Sequence, residues 1–325
     1  AAGLLTADTL TLRNVPEIAD IEEMAEILRG LGSTVSIDGE TLTIATPTIT
    51  STAPPAEQVL RLRASFLVMG PLLARAGEAE CVPPGGDVIG SRPLDVHFVG
   101  FRMLGAQVTR HGANWRAEAA RLAGARIFFD YPSVLGTVNV LFAAVLAQGH
   151  TTIINAAPEP EVAMAARLLN AMGARITGEG TPTIEVDGVA SLHGTDFAII
   201  PDRLEAGTYL LAGAATGGAA NVVGHIDGTS RPGRYIVVSA HYDHIGVRNG
   251  RVFNGADDNG SGTVALLEIA EAYGLAAQQG RRPRRSVLFA AWNSEERGLL
   301  GAWAYTEDPL KPLSTIAGVL NMDMV

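Results

Sequence analysis

Lysine is almost missing. Lys311 is the only one in 325 residues, so chemistry that needs an ammonium group elsewhere in the chain is excluded. Cysteine is as scarce: Cys81 alone cannot close an internal disulfide, and the count neither points to an oxidising compartment nor rules one out. Charged residues make up 18% of the chain and the formal net charge is -10. Phosphate backbones reward clustered Lys and Arg, and no basic stripe is present, which argues against nucleic acid and for small molecules or peptides as partners. No apolar run approaches the length of a membrane span. The opening Ala1-Ala2-Gly3 has neither a charged leader nor an initiating methionine, so the start reads as truncated. What is present is apolar material, 47% of residues, enough to bury real cores. The length suffices for two domains of ordinary size.

An apolar helix ending in a glycine turn occurs three times, at Met24–Gly32, Val99–Gly105 and Ala165–Gly173, at a spacing of roughly seventy residues. Each is followed by an alternating strand, Ser33–Ile37, Ala106–Thr109 and Ala174–Thr177. Between these lies a second recurring element, a small-residue helix, a glycine turn and a strand: Arg63–Cys81, Thr137–Asn155 and the shorter Gly3–Asn14. A unit that cannot bury its own helix face must pack against its copies, so the repeats predict one pseudo-symmetric α/β domain.

A fourth helix is expected over Thr208–Gly217, but the pattern stops near Gly218. Beyond it, strands at 221–224, 235–239 and 286–290, with a helix over 262–277, predict an open α/β sheet. Asp227–Gly233 reads as a turn. The seam near 217–221 lacks the Pro, Ser or charged spacer usual between domains, and the expected division is 1–218 and 219–325.

Five blocks in the first segment carry a resemblance: Leu62–Phe66, Gly70–Ala74, Pro84–Asp95, Asn155–Glu161 and Pro201–Thr208. In this order they are similar to the UDP-N-acetylglucosamine enolpyruvyl (1-carboxyvinyl) transferases. The resemblance implies an inside-out α/β barrel and transfer of enolpyruvate from phosphoenolpyruvate to the 3-hydroxyl of UDP-N-acetylglucosamine, in peptidoglycan synthesis, with no cofactor. It implies that Arg63 and Arg92 hold anionic substrate groups, as bidentate guanidinium suits phosphate, and that Asp95, Ser133 and Val134 contact the UDP-sugar. Leu135 stands where the family usually has glycine. Asp87 stands where many members carry a cysteine. A carboxyl there can act as general acid if its pKa is raised, but it resists alkylation, so resistance to the epoxide fosfomycin is expected. The family's N-terminal Lys-Asn pair is expected before Ala1 and its second domain after Gly218. A cytoplasmic location follows from this resemblance.

Residues 221–325 resemble the first half of the co-catalytic di-zinc aminopeptidases, on the blocks Ser239–Gly246, Asn254–Gly262, Trp292–Gly301 and Asn321–Asp323. The resemblance implies a truncated open α/β sheet and two zinc ions, with Asp258 bridging them and His241, Glu296 and Asp323 as further ligands. Imidazole and carboxylates are suitable zinc donors. Asp243 would accept a hydrogen bond from His241 and orient it, and Glu295 would be the general base. His241, Glu295 and Asp323 are each expected at or just past the carboxyl end of a strand, where open α/β sheets keep their ligands. The family's last zinc histidine is expected beyond 325. His225 and His244 are the nearest unclaimed histidines, and neither lies at the matching position. Such peptidases are often exported, and an unpaired strand near Val325 would be an aggregation hazard. Three readings stand: a transferase-related protein, a zinc aminopeptidase-related protein, and a chimeric or misassembled chain that catalyses nothing.

Overall fold

In chain order the first two hundred residues form β1 (Thr9–Arg13), α1 (Ala19–Gly30), β2 (Thr34–Asp38), β3 (Thr41–Ala45), α2 (Ala56–Arg61), α3 (Met69–Ala76), β4 (Glu78–Cys81), α4 (Asp95–Met103), β5 (Gln107–His111) and β6 (Asn114–Glu118). There follow β7 (Arg126–Phe128), α5 (Val134–Ala144), β8 (His150–Ile154), α6 (Pro160–Ala171), β9 (Arg175–Thr177), β10 (Thr183–Asp187) and β11 (Asp196–Ala198). The computed structural model describes residues 1–86, 90, 92–205, 207, 208 and 220–325, with Gln278 described by its backbone alone. Contacts divide the chain into two compact units, Ala1–Pro201 and Asp202–Val325. The expected boundary at 218/219 and nearly all of the expected helix over 208–217 lie outside the described residues.

The glycine turns explain the repeats. Gly32, Gly105 and Gly173 have φ of +106°, +94° and +99°, a region that costs glycine nothing. In each case the following amide returns to the last helical turn: Ser33 to Leu28, Ala106 to Phe101 and Ala174 to Leu169. This is one helix-ending hydrogen-bond pattern used three times. Each turn then launches a hairpin, β2–β3, β5–β6 or β9–β10. The second hairpin strand pairs antiparallel with β1, β4 or β8 respectively, the strand that follows a buried helix. The sheet orders are β11-β1-β3-β2, β4-β6-β5 and β7-β8-β10-β9.

Those buried helices are the 3-10 turn Ala2–Leu5, α3 and α5; in α5 every residue from Gly136 to Ala144 is buried. A helix apolar all round must lie inside. Small residues set how closely the helices cross: a Cβ on Gly70 would lie 2.2 Å from the Asn139 carbonyl oxygen, and one on Gly100 would lie 2.1 Å from Val140 Cγ2. Helices inside and sheets outside make the inside-out arrangement expected of the first segment.

The second unit contains β12 (Val222–Ile226), β13 (Arg231–His241), β14 (Gly246–Arg248), β15 (Arg251–Phe253), a helix Gly262–Gln278, β16 (Arg285–Trp292), a short helix Leu300–Glu307 and β17 (Ile316–Met322). Its sheet runs β12-β16-β13-β17, with only β12 antiparallel. Leu266 on the long helix covers Val238, Ala240, Val287, Phe289 and Met322 on one face. Tyr305 covers Val237, Leu288 and Ala290 on the other. Two expectations need correction. The turn at 227–233 is shorter, because the Arg231 amide already bonds the Arg284 carbonyl and begins β13. The β14–β15 hairpin was not expected, although Asn249 and Gly250, both at positive φ, form the dipeptide that tight hairpin turns favour. β17 is an edge strand, with Val319 64% and Leu320 55% exposed. Among the described residues no helix is long and apolar enough to cross a membrane.

Candidate functional site

In the first unit, Arg63 opens the 3-10 turn Arg63–Val68 that leads into α3. The Gly85-Gly86 turn lies directly against it. The Gly85 amide bonds the Val59 carbonyl, and a Cβ on Gly86 would lie 3.0 Å from the Arg63 nitrogen. Asp87, next in sequence, lies outside the described residues. The Arg63 guanidinium donates a hydrogen bond to the Arg92 carbonyl oxygen. Partial burial holds Arg63 below the ordinary arginine pKa and the nearby charge of Arg92 adds to this, while Tyr131 opposes it. Two cations are thus kept close, one of them partly stripped of water, an arrangement relieved by an anion.

Asp95 starts α4 and accepts a 2.6 Å hydrogen bond from Tyr131. Burial first, then this bond, pushes the Tyr131 phenol up to about 12. The bond ties the start of α4 to the segment that enters α5, where Ser133 caps the helix by accepting from the Gly136 amide and Val134 is the first helical residue. Below them His97 is buried, and burial together with the Arg63 charge lowers its pKa to about 3, so it is neutral. Its Nδ1 accepts from Asn139, which also donates to the Phe66 carbonyl at 2.9 Å and accepts from the Gly70 amide at 2.7 Å. Arg63, Arg92 and Asp95 therefore share a neighbourhood with two groups that sequence reasoning missed, Tyr131 and Asn139. Tyr131 sits two residues before Ser133, and that proximity was its one signal.

In the second unit three strands deliver their ends to one edge. His241 ends β13 opposite Trp292, and Ala240 lies opposite Met322, so His241, the Glu295–Glu296 turn and Asp323 converge. Asp258 arrives on the turn Ala256–Ser261. Buried Asn259 staples that turn to the end of β17 by donating to the Met322 carbonyl and accepting from the Gly262 and Met324 amides. Asn259 was also missed; it lies within the Asp-Asp-Asn block but carries no charge to mark it.

His241 is 2% exposed, and its Nε2 has no hydrogen-bond partner. That atom lies 3.3 Å from Asp258, 3.6 Å from Asp323 and 3.9 Å from Glu295. Asp243 acts differently from expectation. Its main-chain carbonyl, not its carboxylate, accepts from His241 Nδ1 at 3.1 Å. The carboxylate accepts from the amides of Glu295 and Glu296 at 3.0 and 3.3 Å, which orients the turn bearing both glutamates. Burial pushes the Glu295 carboxyl up; His241 opposes this, while Glu296, Asp323 and Asp243 add to it.

Ligand atoms of His241, Asp258 and Asp323 all lie within 4.8 Å of one another, and so do those of His244, Asp258 and Glu296. Among the described residues, the ion pairs of Asp243, Asp258, Glu295, Glu296 and Asp323 run only to His241 and His244. Five carboxylates facing two imidazoles leave negative charge that a cation would balance, and buried nitrogen with carboxylate oxygen is a donor set that suits zinc. Beside the donors opens a cavity of about 490 Å³ whose far wall is Val237, Tyr305, Ile316 and Val319.

Comparison with known proteins separates the two regions in a similar way. The family model described as EPSP synthase (3-phosphoshikimate 1-carboxyvinyltransferase) matches residues 1–262, and that of peptidase family M28 matches residues 221–325. A UDP-N-acetylglucosamine 1-carboxyvinyltransferase of Magnetococcus marinus is 50% identical over 225 residues, 69% of this chain and 54% of the relative. One of Carboxydothermus hydrogenoformans is 49% identical over 218 residues, 67% of this chain and 52% of the relative. The chain thus spans about half the length of the curated relatives it matches. Among solved structures, the enolpyruvyl transferase NikO from Streptomyces tendae superposes with TM-score 0.57 at 24% identity, over 65% of this chain and 51% of that one. An EPSP synthase from Acinetobacter baumannii gives 0.52 at 22%, over 71% and 53%. At such identities these two likenesses establish the fold, an enolpyruvyl transferase-type α/β fold, and nothing finer.

Proposed function

This chain belongs to the EPSP synthase (3-phosphoshikimate 1-carboxyvinyltransferase) family, and on that premise we propose that its first unit is a domain of a UDP-N-acetylglucosamine 1-carboxyvinyltransferase. In that reaction Asp87 gives a proton to the methylene carbon of phosphoenolpyruvate while the sugar's 3-hydroxyl releases its proton to water and its oxygen bonds to the adjacent carbon. Return of a methyl proton to the Asp87 carboxylate and loss of inorganic phosphate then restore the double bond on the sugar. Arg63 and Arg92 hold the phosphate and carboxylate charges, and Asp95, Ser133 and Val134 contact the UDP-sugar. The substrates are peptidoglycan precursors made in the cytoplasm, which is the proposed location.

The observation that carries this reading is the partly desolvated Arg63 held beside Arg92 by the Gly85-Gly86 turn. Because the relatives are about twice as long, binding is the part of the reaction to measure on these 325 residues. Calorimetry should detect UDP-N-acetylglucosamine binding. Phosphoenolpyruvate should bind in its presence, and Arg63→Ala and Arg92→Ala should each weaken phosphoenolpyruvate binding about tenfold or more, since a hydrogen bond to a charged group contributes about 1.5–3 kcal/mol. Absence of binding by the unaltered protein would sink the proposal.

A second reading is supported by Asp258 standing in both donor sets of the second unit and by the M28 match. We propose a two-zinc aminopeptidase-type site in which His241, Asp258 and Asp323 would hold one ion and Asp258 and Glu296 would hold the other. Bound zinc would supply Lewis acidity toward a peptide carbonyl. Glu295 takes the proton of the attacking water, and Asp243 fixes the two glutamates by their amides. A chromogenic aminoacyl substrate with added zinc tests this, and no hydrolysis together with no zinc uptake would dismiss it.

A further inference from the structure

We propose that His244 is the third protein ligand of the second cation position, completing with Asp258 and Glu296 a donor set made entirely within residues 244–296. The inference rests on the two-zinc reading and assigns a ligand that the sequence resemblance does not.

His244 Nδ1 lies 2.8 Å from Glu296 Oε1, yet neither atom has a hydrogen-bond partner and both are buried. Two polar atoms this close but out of line for a hydrogen bond are aimed at a common point instead of at each other. Asp258 supplies the third oxygen, all three within 4.8 Å of one another. Imidazole nitrogen and carboxylate oxygen are both zinc donors, and three protein ligands leave a fourth position open for water or substrate.

The ring is held in place by what surrounds it. A Cβ on Gly255, at φ +65°, would lie 2.8 Å from His244 Cγ, so only glycine lets the imidazole rest there. Phe253 is a ring neighbour, its centroid 6.5 Å from that of His244. The β14–β15 hairpin turns at Asn249-Gly250 and returns the chain to Gly255, which brings His244 and Asp258 together across fourteen residues of sequence. Asp243, one residue before His244, meanwhile holds the amides of Glu295 and Glu296. One short stretch therefore fixes both the histidine and its carboxylate partner.

The test is zinc stoichiometry and affinity on the full chain, read by competition with a chromophoric chelator and by metal analysis after dialysis, with circular dichroism to check folding. The unaltered protein should bind two zinc ions. His244→Ala and His244→Gln should each keep the first and weaken the second by at least about tenfold, because loss of a ligand costs no less than loss of its supporting partner. His241→Ala should instead weaken the first. Two ions bound with unchanged affinities in both His244 variants, or a single ion lost only with His241, would overturn the assignment of His244 while leaving a metal site. No zinc bound by the unaltered protein would overturn the two-zinc reading itself.

Discussion

Asn139 is fully buried, and its amide joins three helices: it accepts from the Gly70 amide of α3 and donates both to the Phe66 carbonyl and to His97 Nδ1 of α4. Asn139→Ala removes all three bonds. The Phe66 carbonyl keeps a second partner in the Met69 amide, so its loss is small. The Gly70 amide and His97 Nδ1 are left buried and unpaired, at about 1–3 kcal/mol each, which totals about 4 kcal/mol. That is a large share of the stability of an ordinary domain, about 5–15 kcal/mol. Asn139→Leu restores bulk but no hydrogen bond, so it should be destabilised about as much as the alanine variant. Urea unfolding with Trp115 as the only tryptophan, after Trp292→Phe and Trp303→Phe, isolates the first unit. Trp115 packs on Phe98 of α4, ring centroids 4.4 Å apart, and so reports on the helix that Asn139 holds. Recovery of stability in the leucine variant, or a loss below about 1 kcal/mol in both, would refute the argument. The same bond reaches the turn that begins with Arg63, so binding at the anion site should weaken in parallel.

His150 lies between Asp187 and Glu185, both 2.7 Å away, and the hydrogen bonds to these, Asp187 first, raise its pKa above 6.5. Its contribution to stability is therefore fully present below pH 6.5 and fades as the pH rises through the folded value; an NMR titration should show a raised midpoint that falls back in Asp187→Asn. Fosfomycin should not modify the protein, because Asp87 replaces the reactive thiol and the sole cysteine, Cys81, is 2% exposed with its pKa pushed up by burial to about 12. Mass spectrometry after prolonged exposure at neutral pH reads this, and a covalent adduct on the folded chain would contradict it.

The repeat of helices and hairpins was legible because burial periodicity and positive-φ glycines are properties of single segments. Gly32, Gly105 and Gly173 mark their helix ends without help from the rest of the fold. Pairing was not legible: nothing in β1, β4 or β8 declares that its partner is the second hairpin strand, since that choice is made by how three buried helices pack. The metal-type residues were legible as charged blocks, and the structure gathers His241, Asp258, Glu296 and Asp323 at one sheet edge. Asp243 was harder, because its carboxylate turns to amides 52 residues away while its carbonyl takes the nearby histidine. His244 has no place in the family pattern, and its place in the cluster comes from a hairpin return that spacing alone does not reveal.

The two family matches overlap over residues 221–262, and strand pairing decides which neighbours that stretch requires. Among the described residues β12 pairs only with β16, and β13 pairs with β16 and β17. Every one of those partners lies in residues 285–322. A chain ending at 262 would keep only the β14–β15 hairpin, three residues per strand, and an isolated two-stranded hairpin is marginal in water. The buried side chains Val237, Val238 and Ala240 would also lose their cover from Leu288, Phe289 and Leu266. The expected outcome for residues 1–262 is a protected core identical to that of residues 1–201, with everything beyond digested or exchanging freely. Limited proteolysis followed by mass spectrometry measures it. Protection of the amides of Val237 and Val238 in the shortened chain would mean that 221–262 can draw its order from the first unit, and that the longer transferase match reflects a physical dependence as well as a likeness of sequence.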